Sequence, residues 1–152
     1  MEIRKAELKD LDALFDNRME FIRNMHHEEV VISDEFKKNT YEFMKQHMAD
    51  ASLAVWVATD NQRIVSCAMV SYYQTLPVMS NPSGNTGYIL NVYTHPDYRL
   101  RGLATELLKR LIQDSKEKNV GKLHLNATDM GKPVYEKLGF EQLTRDMAYN
   151  LG

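Results

Sequence analysis

The sequence predicts a single α/β domain spanning residues 1–152, and three observations predict it. Tyr88-Ile-Leu-Asn-Val-Tyr-Thr94 is β-branched and aromatic, stops before Pro96, and leads through a basic turn into Leu103, Leu107, Leu108, Leu111 and Ile112, spaced as one face of a helix. Leu53–Thr59 and Arg63–Tyr73 are two strand-like runs around Asp60-Asn-Gln62, which reads as a hairpin. Strand and helix patterns follow one another as β-α-α-β-β-β-α-β-α-β-β, which gives about seven strands and four helices.

Taken in order, Met1–Glu7 reads as the first strand. Asp10 is placed as a helix cap, and Leu11, Leu14, Phe15, Met19, Phe21 and Ile22 repeat at helical intervals to about Met25. His26-His-Glu-Glu29 breaks that pattern. Ser33 is the next cap, ahead of Phe36, Thr40, Phe43, Met44 and Met48 on a second amphipathic helix to about Asp50. After the hairpin, Leu76–Gly87 gathers Pro77, Pro82, Gly84 and Gly87, the chemistry of a loop. Beyond the central strand, turn and helix, Lys122–Asn126 reads as a short strand. Asp129–Leu138 reads as a short helix stopped by Gly139. Phe140–Leu143 and Met147–Leu151 read as two final strands around Thr144-Arg-Asp146. No repeat, low-complexity tract or linker divides the chain.

Composition narrows the function classes. Apolar residues make up 43% and charged residues 26%, which suits a globular domain with a sizeable core. A net charge of -2 gives no general attraction to nucleic acid or anionic membrane. The single cysteine, Cys67, sits in an apolar run and forms no disulfide within the chain. The N-terminal Met1-Glu-Ile-Arg-Lys lacks a signal-peptide core and no run nears the roughly 20 apolar residues of a membrane span, so a cytoplasmic location is expected.

The turn Arg99-Leu-Arg-Gly-Leu-Ala104 carries the chemistry. A helix N-terminus has unpaired N–H groups and about half a positive charge. Gly102 and Ala104 let an anion approach the backbone, and Arg99 and Arg101 add charge. Read physically, this is a cradle for phosphate or pyrophosphate; read blandly, it is a surface turn with solvated arginines. The order Arg-x-x-Gly-x-Ala after Val-Tyr-Thr-His-Pro-Asp-Tyr resembles the acyl-CoA-binding motif of the GNAT superfamily of N-acetyltransferases, and Val134-Tyr-Glu-Lys-Leu-Gly-Phe140 is a second match at the family's usual distance.

The resemblance implies the GNAT fold, a mixed and mostly antiparallel sheet splayed between the strands at about 88–94 and 122–126, with acetyl-CoA as cosubstrate. By the resemblance, pantetheine would lie in the splay against the backbone of Val92, Tyr93 and Thr94. The pyrophosphate would meet the N–H groups of Leu100, Arg101, Gly102, Leu103, Ala104 and Thr105 beside Arg99. Asn126 and Thr128 would border the slot, Thr128 standing where relatives carry Asn. Tyr135 would be the general acid. Asn91 stands where many relatives have a basic Glu; it cannot take a proton but can orient a water that does. His26, His27, Glu28 and Glu29, with Tyr72, would face the acceptor, a small-molecule or peptide amine. His26 and His27 lack a third well-spaced ligand, so no metal is expected.

Two function classes remain open at this level. One is an acyl-CoA-dependent N-acyltransferase; the other is a non-catalytic acyl-CoA sensor, which Asn91 favours and Tyr135 opposes. A nucleotide-binding domain is weak, because neither a phosphate-loop Gly-Lys-Ser/Thr nor Gly-x-Gly-x-x-Gly is present. A homodimer is left open.

Overall fold

The structure, a computed structural model, describes residues 1–26, 29–143 and 145–152. Its framework is the hairpin of β2 (Leu53–Asp60) and β3 (Arg63–Gln74). Asn61 and Gln62 both take positive φ, 48° and 67°, which is the geometry a two-residue hairpin needs to match strand twist. β1 (Glu2–Lys5) pairs antiparallel with β2, and β4 (Asn85–Thr94) pairs antiparallel with β3. β5 (Lys122–Leu125) then lies parallel to β4, giving the order β1-β2-β3-β4-β5. A parallel partner needs a crossover, and α3 (Leu103–Glu117) supplies it.

Helices cover both faces. Ala54 and Ala58 of β2, Ala68 and Val70 of β3 and Ile89 of β4 pack on Leu103, Leu107, Leu108 and Leu111 of α3. The alternate side chains Val55, Val57, Cys67, Met69 and Tyr93 face α1 (Leu11–Met25) and α2 (Asp34–Ala49), meeting Leu11, Leu14 and Met44. Period-two alternation therefore sends each strand's two apolar sets into two separate cores. Ser33 caps α2 by accepting the Phe36 N–H at 3.1 Å. Asp10 instead uses its carboxylate on the Arg4 guanidinium, at 2.8 and 2.9 Å, and on the Glu7 N–H.

The expectation of about seven strands needs correcting. Among the described residues the sheet has five. Phe140–Leu143 and Met147–Leu151 form no strand, and Leu143, Met147, Tyr149 and Leu151 are largely exposed. Alternation makes a segment able to be a strand; only an edge that pairs with it makes it one, and no described residue pairs with these. The last helix, α4 (Lys132–Lys137), is also shorter than expected, because Thr128–Gly131 forms a turn ahead of it. Gly139 ends it at φ 100°, and the Phe140 N–H returns to the Tyr135 carbonyl at 3.0 Å.

Candidate active site

The site lies where β4 leaves β5. The two strands pair from Thr86 with Lys122 to Ile89 with Leu125, and there the pairing stops. β4 carries on to Thr94 along β3 alone. The β3 register slips from Cys67 opposite Tyr93 to Met69 opposite Leu90, a bulge that adds a residue to β4. Asn91 sits in it at φ 53°, a conformation asparagine tolerates better than most residues. The gap left open is a cavity of about 190 Å³ between β4, α3 and α4, with Asn91, Val92, Ala104, Asn126, Thr128 and Tyr135 in its wall.

Within the bulge, Asn91 is 3% exposed. Its Oδ1 accepts from the Arg18 guanidinium at 3.3 Å, and its Nδ2 donates to Cys67 Sγ at 3.5 Å. The Asn91 side chain is therefore held on the α1 side of the sheet. Burial pushes the Cys67 thiol up to about 12, so it stays protonated, and burial lowers the Arg18 pKa. The sequence reading missed Arg18. Its signal was spacing, since Leu14, Arg18 and Phe21 lie four and three residues apart on the apolar stripe of α1.

The His95 N–H bonds the Val65 carbonyl on β3, so by antiparallel alternation the N–H and C=O of Thr94 face the open side. That carbonyl already accepts from Arg99 Nε at 3.1 Å, and the Thr94 hydroxyl meets Ser66 Oγ at 2.8 Å. Tyr93 points the other way, buried against Phe21, and its hydroxyl accepts from Asn24.

Beyond β4, the turn opens α3. Gly102 is the cap residue at φ 74°, and a Cβ there would meet nothing within 4 Å. The backbone is thus open to an incoming group, and the first-turn N–H groups of Leu103, Ala104 and Thr105 have no partner within the helix. Arg101 lies over the Tyr98 ring at 4.9 Å and donates to the Asp97 carbonyl. Leu100 is fully exposed at φ 62°, while Leu103 is buried in the α3 core.

Tyr135 stands across the cavity on α4, edge-on to Phe140 with ring centres 5.9 Å apart. Burial alone raises its pKa, and among the described residues nothing hydrogen-bonds its hydroxyl. The Thr128 hydroxyl is occupied, accepting the Gly131 N–H at 3.1 Å. Asn126 is exposed just past β5.

Of the residues expected on the acceptor side, His26, Glu29 and Tyr72 do not line this cavity. His26 and Glu29 are exposed at and beyond the end of α1, and His27 and Glu28 lie outside the described residues. Tyr72 packs on the α3 face, its hydroxyl bonded to Ser115 Oγ at 2.8 Å and Asp114 at 3.2 Å, with Lys118 over its ring. No cluster of three or more potential metal ligands occurs among the described residues.

Three comparisons bear on this geometry. The model described as the acetyltransferase (GNAT) family matches residues 14–140. A solved structure described as a "predicted acetyltransferase with acetyl-CoA" from Clostridium acetobutylicum superposes with TM-score 0.90 at 32% identity, covering 99% of this chain and 96% of that one. A GCN5-related N-acetyltransferase from Ralstonia eutropha gives TM-score 0.89 at 24% identity over 99% and 97%, a likeness of fold. Among curated proteins, glucosamine 6-phosphate N-acetyltransferase of Trypanosoma brucei brucei is 37% identical over 65 residues, 43% of this chain and 44% of that one. The uncharacterized N-acetyltransferase YafP of Escherichia coli is 28% identical over 100 residues, 63% of each. The matches thus span less than two thirds of these curated relatives.

Proposed function

We propose that this chain, which belongs to the acetyltransferase (GNAT) family, moves an acetyl group from acetyl-CoA to a primary amine of a small molecule or peptide. The observation that carries the reading is the meeting of three features at one cavity: an open β4 edge, the start of α3 at Ala104 just past the open Gly102 turn, and the half-buried phenol of Tyr135. The residues present fit acetyl-CoA. Gly102 leaves room for the pyrophosphate at oriented N–H groups, which need no reorganisation to receive it. The edge of β4 at Val92 offers an extended backbone to the pantetheine amides, as an edge strand does to a peptide.

Bound acetyl-CoA supplies the thioester carbonyl that the amine attacks and the sulfur that departs. Burial keeps the Tyr135 phenol protonated, so it can hand its proton to the departing thiolate as a general acid. Asn91 takes no proton. Held by Arg18 and Cys67, it fixes the bulge that turns β4 away from β5. Proton removal from the amine then falls to water. Arg99 ties the turn to the end of β4, so its role toward the cosubstrate is to set the cradle's shape as well as its charge.

The non-catalytic sensor reading has only Asn91 in its favour, and the relatives named above are all called acetyltransferases. Thiol release from acetyl-CoA across a panel of amines tests the proposal. Amine-dependent release supports it, and tight acetyl-CoA binding without release for any amine class would favour the sensor.

A further inference from the structure

Two of the chain's arginines, Arg4 and Arg18, are half-buried. Arg4 spends its fork on the Asp10 carboxylate, at 2.8 and 2.9 Å, as a charge withdrawn from water normally does. Arg18 does not. Among the described residues it makes no ion pair, and its hydrogen bond runs from Nη1 to Asn91 Oδ1 at 3.3 Å. A guanidinium carries several N–H donors, so most of this one is unspent. Burial lowers its pKa, and no described carboxylate offsets this. Asn91 is an amide, which accepts the hydrogen bond and brings no charge. The nearest acids in sequence, Asp16 and Glu20, stand two residues to either side and so on other faces of α1. Glu20 acts instead on the Tyr93 hydroxyl.

This guanidinium stands at the α1 side of the cavity. Asn91, to which it is bonded, is in the cavity wall, and so is Phe21, one turn further along α1. Phe21 packs with the core on one face of the sheet and Leu108, also in the wall, with the core on the other. The cavity therefore passes through the splay from α3 to α1. In the proposed reaction acetyl-CoA runs from the Gly102 turn along β4 and takes the α3 side. The amine is then left to reach the thioester from the side of α1, past Arg18.

We infer that Arg18 anchors an acidic group, a carboxylate or a phosphate, carried by the acceptor amine. The inference rests on the acetyl-transfer reading and narrows its substrate class from primary amines in general to amines that also bear an acid. A guanidinium offers paired N–H groups in a plane, the fit for either oxyanion. Asn91 holds the guanidinium in place without neutralising it, so the charge is left for the substrate.

The test reads binding, which needs no turnover and so stands apart from the catalytic proposal. Calorimetry on the full chain in the presence of coenzyme A would use two matched pairs of probes. Phenylalanine against phenylalanine amide tests the carboxylate, and phosphoethanolamine against ethanolamine tests the phosphate. In the parent at least one acidic member should bind about tenfold or more tightly than its neutral mate, the worth of a charge-assisted hydrogen bond. Arg18→Met should bring that ratio close to one by removing the cation. Asn91→Asp should do the same in nearly the parent's shape, by giving Arg18 a fixed counter-ion. A ratio near one in the parent for both pairs overturns the inference. So does a preference that survives in either variant with a parent-like melting temperature, which would leave Arg18 only the task of holding the bulge. Thiol release from acetyl-CoA, measured with the same probes, separates the two readings: its absence with the binding preference intact counts against acetyl transfer and leaves the anion anchor standing.

Discussion

Gly102→Glu tests the phosphate cradle with little damage elsewhere. Gly102 is exposed, and a Cβ at this position meets nothing within 4 Å, so the new side chain displaces no packing. Its φ of 74° strains any L side chain by about 1 kcal/mol, a cost that Gly102→Gln shares. The difference between the two variants is then charge alone. A carboxylate roughly 6 Å from a diphosphate bearing about two charges, in surroundings near the dielectric of water, is disfavoured by about 1.4 kcal/mol. That is about tenfold in Kd. Calorimetric titration with acetyl-CoA at low salt should show the Glu variant about tenfold weaker than the Gln variant, with the gap narrowing at high salt as screening grows. Equal affinities for the two would refute a phosphate site at this turn.

Two further outcomes follow from the buried and paired groups. The Arg4 guanidinium holds the Asp10 carboxyl below its usual range, so the unfolded chain binds more protons there, and stability is complete above about pH 4 and is lost as pH falls through the folded value. Asp10→Asn should lower stability by about 1–3 kcal/mol at pH 7 and flatten the acid limb, and denaturant melts from pH 2 to 7 that run parallel for both proteins would contradict this. Cys67 is fully buried with its thiol pushed up to about 12, so an aromatic disulfide reagent should not react with the native protein at pH 8 and should titrate the thiol once denaturant is added; fast native reaction would show an open path to the bulge.

Much of the framework was legible because it is written in local pattern. The hairpin turn at Asn61 and Gln62, the Ser33 cap and the Leu103–Leu111 stripe each depend on neighbours a few residues away, and each stands where the pattern put it. The final two strands were not legible, since Met147, Tyr149 and Leu151 alternate as a strand does while pairing depends on a distant edge. The turn at Arg99–Ala104 was visible as a basic turn. That Arg99 would spend its Nε on the Thr94 carbonyl was not, because the contact depends on how the turn folds back. Asn91 could be set opposite the family's usual Glu, yet nothing local showed the bulge that rotates it toward Arg18 and Cys67. By the resemblance Tyr72 is expected to face the acceptor, whereas its commitment to Ser115 and Asp114 comes from α3, more than forty residues away.

In the proposed reaction the cavity between β4 and α4 is the catalytic cleft, and Tyr135 supplies the proton to the departing thiolate. Tyr135→Phe removes one hydroxyl and keeps the ring against Phe140, so folding and acetyl-CoA affinity should hold. The steady-state kcat for thiol release, measured with an amine that the parent accepts, should fall by roughly 10²-fold, within the range that general acid catalysis contributes. A parent-like kcat in a variant with parent-like melting temperature and acetyl-CoA Kd would contradict the claim and leave Tyr135 as an aromatic packed at the mouth of the cleft.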